Sequence, residues 1–272
     1  MEKHHERTGS PEPIPLRPFP SAALVLAAAL AFGAPTAPQA PDRPPVVAHR
    51  DATVAPSFVH TAASSARGSS SRLSAAMPSA CSDGAYAVYS SKWTKQYNFY
   101  VKTSTTPSGV SSDSAVSAIR EAVRNITRGD NDCGISANIG ATAAYQGSTS
   151  SSANITTSAG CGSRDGRNVV DFGTLPVGYL ALTCWWSSGG TIIEADLRMN
   201  KASYGWVTSL AGCSSKWSIQ GVTTHEFGHA FGMDHVSESS HGNLTMSPTI
   251  FACQNSESSL GLGDVRGLEN KY

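Results

Sequence analysis

Residues 225–235 read HEFGHAFGMDH, and no other stretch constrains the fold so tightly. On a helix of 3.6 residues per turn, His225 and His229 project from one face about 6 Å apart. That spacing lets two imidazoles converge on one Zn²⁺ at about 2.0–2.1 Å each. Glu226 lies about 100° round the same helix, beside such an ion without having to bind it. His235 offers a third ligand, but not from the same straight helix, whose axis would have risen about 9 Å beyond His229. The chain must therefore turn back between them. Gly232 stands in that gap, where a glycine ends a helix in a left-handed conformation at no side-chain cost.

A single histidine on an apolar helix face is ordinarily a satisfied core residue, and an isolated HExxH recurs by chance. The extended form is different. Histidine is scarce, eight in 272 residues, and three of the eight fall in this motif. Random occurrence of HExxHxxGxxH in such a chain is on the order of 10⁻⁵. The pattern predicts a helix over 218–231 carrying a zinc site, with His225, His229 and His235 as ligands and Glu226 left to accept a proton from water.

The rest of the composition narrows the setting. Lys+Arg and Asp+Glu are both 20, so no basic surplus points to nucleic acid and no polybasic run to an anionic membrane. Ala23–Phe32 is a run of ten apolar residues, too short to span a bilayer and suited to the core of a secretory signal. Residues 1–34 are read as that signal, which predicts a secreted protein with no stable membrane association after processing. Residues 35–80 are rich in Pro, Ala and Ser and are read as a disordered linker or short pro-segment. Residues 81–272 form the folded domain. Its six cysteines (81, 133, 161, 184, 213 and 253) contain no CxxC pair and predict three disulfides. Six cysteines allow 15 pairings; the expectation is Cys161–Cys184 and Cys213–Cys253. Cys81 as a cap on the metal is the less favoured alternative to a disulfide.

The domain reads as α+β. Strands are expected at 96–104, 167–173, 181–186 and 190–200, with short candidates at SANIGA (136–141) and SANITTS (152–158). Val116, Ile119, Val123 and Ile126 recur at helical spacing, with Ser112 and Asp113 as capping candidates, and a last helix is expected over 262–272. Asn125, Asn154 and Asn243 each begin an Asn-x-Thr sequon, a glycan acceptor only in a eukaryotic secretory route.

HEFGHAFGMDH resembles the long zinc signature of the metzincin metalloendopeptidases. LTMSP, with Met246 eleven residues after His235, is similar to the methionine turn of that family, where the Met is an apolar base under the metal. Alone, such a Met would be read as core packing. MSPTI is similar to the matrixin-like branch. The resemblance implies a twisted mixed sheet, an active-site helix, a Met-turn and a C-terminal helix. It implies one catalytic Zn²⁺, a protein or peptide substrate and a primed-side pocket walled by Pro248 and Ile250, where an aromatic is usual at the latter position. GTIIEADLRMN (190–200) is similar to the edge strand on which substrates lie, which makes Ile192 and Ile193 candidate substrate-binding residues. No PRCGxPD peptide is present. With only His241 beyond the motif in 81–272, a second, histidine-rich zinc site is not expected, and Ca²⁺ is possible but not evident. A monomer is the default. Two rival readings share the motif: a zinc-stabilised binding module without chemistry, and a metallo-amidase acting on cell-wall peptide.

Overall fold

The computed structural model describes residues 47–50 and 77–272. The apolar run at 23–32 and most of the expected linker lie outside these residues. In chain order the strands are β1 (Val47–Arg50), β2 (Ala87–Val88), β3 (Tyr97–Val101), β4 (Ala143–Ser148), β5 (Asn168–Gly173), β6 (Ala181–Ser188), β7 (Thr191–Asn200), β8 (Gly205–Val207), β9 (Lys216–Ser218) and β10 (Met233–Asp234). The α-helices are α1 (Ser112–Arg128), α2 (Ile219–Ala230), the short α3 (Glu238–His241) and α4 (Leu262–Lys271). None of the described helices is long and apolar enough to cross a membrane.

The main sheet runs β1-β6-β7-β5-β3-β4. β3, β4, β5 and β7 are parallel to their neighbours in that group, whereas β6 runs antiparallel to β7 and β1 antiparallel to β6. α1 and α2 cover one face, closing a core that includes Tyr97, Phe99, Ile119, Ile126, Phe227 and Phe231. Tyr97 and Phe99 stack at 5.6 Å, and Phe227 meets Phe99 edge-on at the same distance. α1 buries the apolar spacing read from sequence, but its cap is Ser111, whose side chain accepts from Ser114 N–H, rather than Ser112 or Asp113. Asn125, also on the buried face, donates to Thr224 Oγ1 at 3.1 Å and so ties α1 to α2.

Two further expectations are corrected. Residues 190–200 do form a strand, but not the edge strand. Gly189 and Gly190 both adopt positive φ, +57° and +78°, as a tight two-residue hairpin requires. That turn folds β7 back between β6 and β5, so β6 becomes the outer of the two. Ile192 and Ile193 line an open cavity of about 590 Å³ bounded by β3 and the start of β7, whose lining contains none of the three motif histidines. Neither 136–141 nor 152–158 is a strand; β4 starts only at Ala143, and Ile155 keeps one isolated bridge to Cys161.

The loop at 152–168 satisfies its backbone on buried carboxylates instead of a ladder. Ala153 N–H donates to Asp171, Asn154 and Val169 N–H to Asp196, and Asp165 and Gly166 N–H to Glu194. Burial pushes the Asp196 carboxyl up to about 8 despite the two backbone donors that favour its charge. Arg198 supplies the balancing cation. Its guanidinium grips both oxygens of Asp171, at 2.7 and 2.5 Å, and also donates to the carbonyls of Ile155 and Ala153.

Three disulfides close the domain: Cys161–Cys184 and Cys213–Cys253 as expected, and Cys81–Cys133, which occupies the cysteine weighed as a metal cap. Of the sequons, Asn125 is buried and Asn154 donates to Glu194, while Asn243 is exposed. Val47–Arg50, inside the stretch read as linker or pro-segment, pairs with β6 at positions 187–184. Arg198→Met removes the buried guanidinium of this acid cluster, leaving only the more exposed Arg164 at 3.5 Å from Glu194, and should destabilise the domain by about 3–5 kcal/mol. Urea unfolding measures it, and a loss under about 1 kcal/mol would contradict the role given to Arg198.

Candidate metal centre

α2 is capped by Ser218, whose side chain accepts from Gly221 N–H at 3.1 Å, and ends at the expected turn. Gly232 has φ +84°, and a Cβ there would meet Lys271 Cε at 2.5 Å and Ser91 O at 2.8 Å. Only glycine satisfies both the backbone angle and the space. Lys271 Nζ clamps the adjoining segment by donating to Tyr89 O and Ser91 O, and burial lowers its ammonium to about 8. Beyond the turn, β10 pairs with β2, which sends His235 back toward the helix.

The three histidines meet. Nε2 of His225 and His235 are 3.0 Å apart, of His229 and His235 3.0 Å, and of His229 and His225 3.1 Å. Four nitrogens arranged tetrahedrally around zinc at 2.0–2.1 Å would be about 3.3 Å apart, so the triangle fits one such ion. His225 Nδ1 lies 2.7 Å from Thr245 O and His229 Nδ1 lies 3.0 Å from Met233 O. A carbonyl can only accept, so each Nδ1 carries the proton and each Nε2 turns its lone pair to the centre. Burial, and then the neighbouring His235, hold His229 well below the ordinary imidazole range, which favours the neutral, ligating form. His225 and His229 are buried and His235 is half-buried, giving one partly open side. Among the described residues no fourth His, Cys, Asp or Glu joins the group.

Glu226 is 3% exposed, and its carboxylate accepts from Thr183 Oγ1 of β6 at 2.6 Å. Met246 is fully buried beneath α2: a Cβ on Gly228 would come 2.2 Å from its sulfur. The turn holding Met246 is anchored from α4. Asp264 accepts from Thr245 N–H and Met246 N–H at 2.9 and 3.2 Å, and from Gly261 N–H at 2.9 Å. Asp264 thus reaches His225 through the Thr245 peptide. Pro248 is half-buried; Ile250 is buried in the core, and its carbonyl accepts from Trp217 Nε1 at 3.1 Å. His241 is paired with Asp83 at 2.8 Å, away from the group. The structure brings together the three histidines, Glu226 and Met246 singled out from sequence, and adds Thr183, Thr245 and Asp264, which were not. A buried Thr inside an apolar strand, and an Asp near the start of a helix, were the only signals for two of them.

Burial pushes Asp264 from 3.8 up to about 6 against the three N–H groups that favour its charge. Its folded value is raised, so between about pH 4 and 6 the unfolded chain is ionised while the folded chain holds the proton. Stability on this account falls as pH rises through that window. In metal-free protein, the urea midpoint of the wild type should drop relative to Asp264→Asn between pH 4 and 6.5. A constant difference would contradict it.

No curated protein matches the chain. The matrixin family model matches residues 92–272, which contain the sheet from β3 to β7, α2, the histidine group, the Met246 turn and α4. Matrixins are zinc metalloendopeptidases, hydrolases of peptide bonds, and this chain belongs to the matrixin family.

Proposed function

We propose that the protein is a secreted zinc endopeptidase in which His225, His229 and His235 hold the catalytic metal and Glu226 is the general base. The observation that carries the reading is the convergence of three Nε2 atoms at 3.0–3.1 Å, with Glu226 next along the same helix. An all-imidazole donor set, with the tautomers of His225 and His229 fixed and no fourth protein ligand among the described residues, suits a catalytic rather than a structural zinc. The binding-module alternative has no use for a buried carboxylate beside such a group. When bound, zinc supplies a Lewis acid that acidifies a water and polarises the scissile carbonyl. Glu226 takes a proton from the attacking water and passes it to the departing amine nitrogen. Met246 provides the apolar floor, and Pro248 and Ile250 wall the primed side, Ile250 through a buried side chain.

The substrate lies extended along the outer edge of β6, not along 190–200, because β6 is the strand that faces outward beside Glu226. Val47–Arg50 already pairs antiparallel with part of that edge, from Ser187 to Cys184. This supports the pro-segment reading of residues 35–80, in which their release opens the edge to substrate. Three disulfides and the apolar run at 23–32 support export, with activity on protein or peptide in an oxidising compartment. The cell-wall amidase reading shares every step and differs only in the acyl group.

Glu226→Ala should keep one zinc per chain and lose at least about 10³-fold in kcat on a quenched peptide library. A zinc-loaded variant that cleaves at the wild-type rate would end the general-base assignment. Wild type that binds zinc yet cleaves no library peptide, once freed of residues 1–80, would favour the binding module.

A further inference from the structure

We infer that Thr183 is a positioning residue for Glu226, an inference that rests on Glu226 being the base. Alternate residues of β6 face opposite ways. Leu182, Cys184 and Trp186 pack in one apolar cluster, while Ala181 and Trp185 join the main core against which α2 lies. Thr183 falls in the second series and is 0% exposed. An isosteric Val would fill that place with no hydroxyl to satisfy, so a buried Thr needs a polar reason.

The hydroxyl has one proton and two acceptors in reach, both on Glu226: Oε2 at 2.6 Å and the backbone oxygen at 3.1 Å. The carboxylate is the shorter and the charge-assisted one, so it takes the proton. This contact matters because of what each side chain can do alone. The terminal torsion of Glu is broad and weakly preferred. A β-branched Thr in a strand is stiff at χ1, and β6 is paired to β7 along its whole length. A rigid donor therefore helps set the rotation of a carboxylate whose own torsion is soft. This hydrogen bond links the strand proposed to carry the substrate directly to the carboxylate of the base, across 43 residues of sequence. Misplacing a reacting group by about 1 Å can cost about 10²-fold in rate.

Four variants of the full chain, each freed of residues 1–80 after folding, test this: Thr183→Val, Thr183→Ser, Glu226→Ala and the double variant that combines Thr183→Val with Glu226→Ala. Zinc content, unfolding midpoint, kcat and KM are measured for each. Thr183→Val should lower kcat by about 10- to 100-fold with KM within twofold, zinc content unchanged and the midpoint close to wild type. Thr183→Ser, which keeps the donor, should return kcat to within about fivefold of wild type. On the Glu226→Ala background, Thr183→Val should reduce the residual rate no further, since the carboxylate that Thr183 positions is already gone. An unchanged kcat in Thr183→Val overturns the inference. So does an equal loss in the Val and Ser variants, or a loss of zinc or of cooperative unfolding, each of which makes Thr183 a packing residue. Full activity in Glu226→Ala would instead overturn the assignment of the base, and the two failures are told apart by that variant alone.

Discussion

Three imidazole Nε2 atoms stand 3.0–3.1 Å apart, where nitrogen lone pairs turned on one another repel, and a divalent cation among them reverses the sign of that interaction. The domain is arranged around holding that arrangement. Two of the rings are fixed by carbonyls from separate segments, Thr245 in the Met246 turn and Met233 in the chain after Gly232. Neither carbonyl can swing away, because Asp264 holds the first turn and the β2–β10 pair holds the second. The C-terminal helix, remote from the motif in sequence, supports both: Asp264 near its start secures the Met246 turn, and Lys271 at its end holds the carbonyls of Tyr89 and Ser91, while Tyr89 N–H donates to Gly232 O. Loss of α4 would therefore reach the histidines through two separate backbone contacts.

The sheet serves the same centre from the other side. The Gly189–Gly190 hairpin places β7 inside and β6 outside, which brings Thr183 against Glu226 and leaves the outer edge of β6 facing the proposed substrate path. The far face is held by a different chemistry. Glu194, Asp196 and Asp171 accept the backbone N–H groups of an irregular loop, and Arg198 offsets part of their charge. A Gly-, Ser- and Thr-rich loop with little apolar surface of its own is ordered in this way by the sheet it covers.

What the sequence disclosed follows from how local each determinant is. The motif helix, its end at Gly232 and the convergence of His235 are set by residues within one short stretch, so spacing alone reveals them. The amphipathic α1 and strands β5, β6 and β7 are likewise carried by local periodicity. The errors have non-local causes. Residues 190–200 alternate like any half-buried strand, and only the positive-φ glycine pair, whose hairpin inserts β7 between two others, marks that strand as interior. SANITTS has strand-like residues, but its N–H groups are claimed by carboxylates about 20 to 40 positions away. Thr183, Thr245 and Asp264 were invisible for the same reason, since each acts on the site through a partner at least 18 residues distant.

The central claim is that one zinc sits among three imidazoles with a side left for water. X-ray absorption at the zinc edge, on protein purified without added metal and freed of residues 1–80, tests it most directly. The account predicts one zinc per chain, with three imidazole nitrogens at about 2.0–2.1 Å and one or two oxygen neighbours. Sulfur in the inner sphere, a fourth imidazole, or zinc that survives unchanged when His235 is replaced by Ala would contradict it.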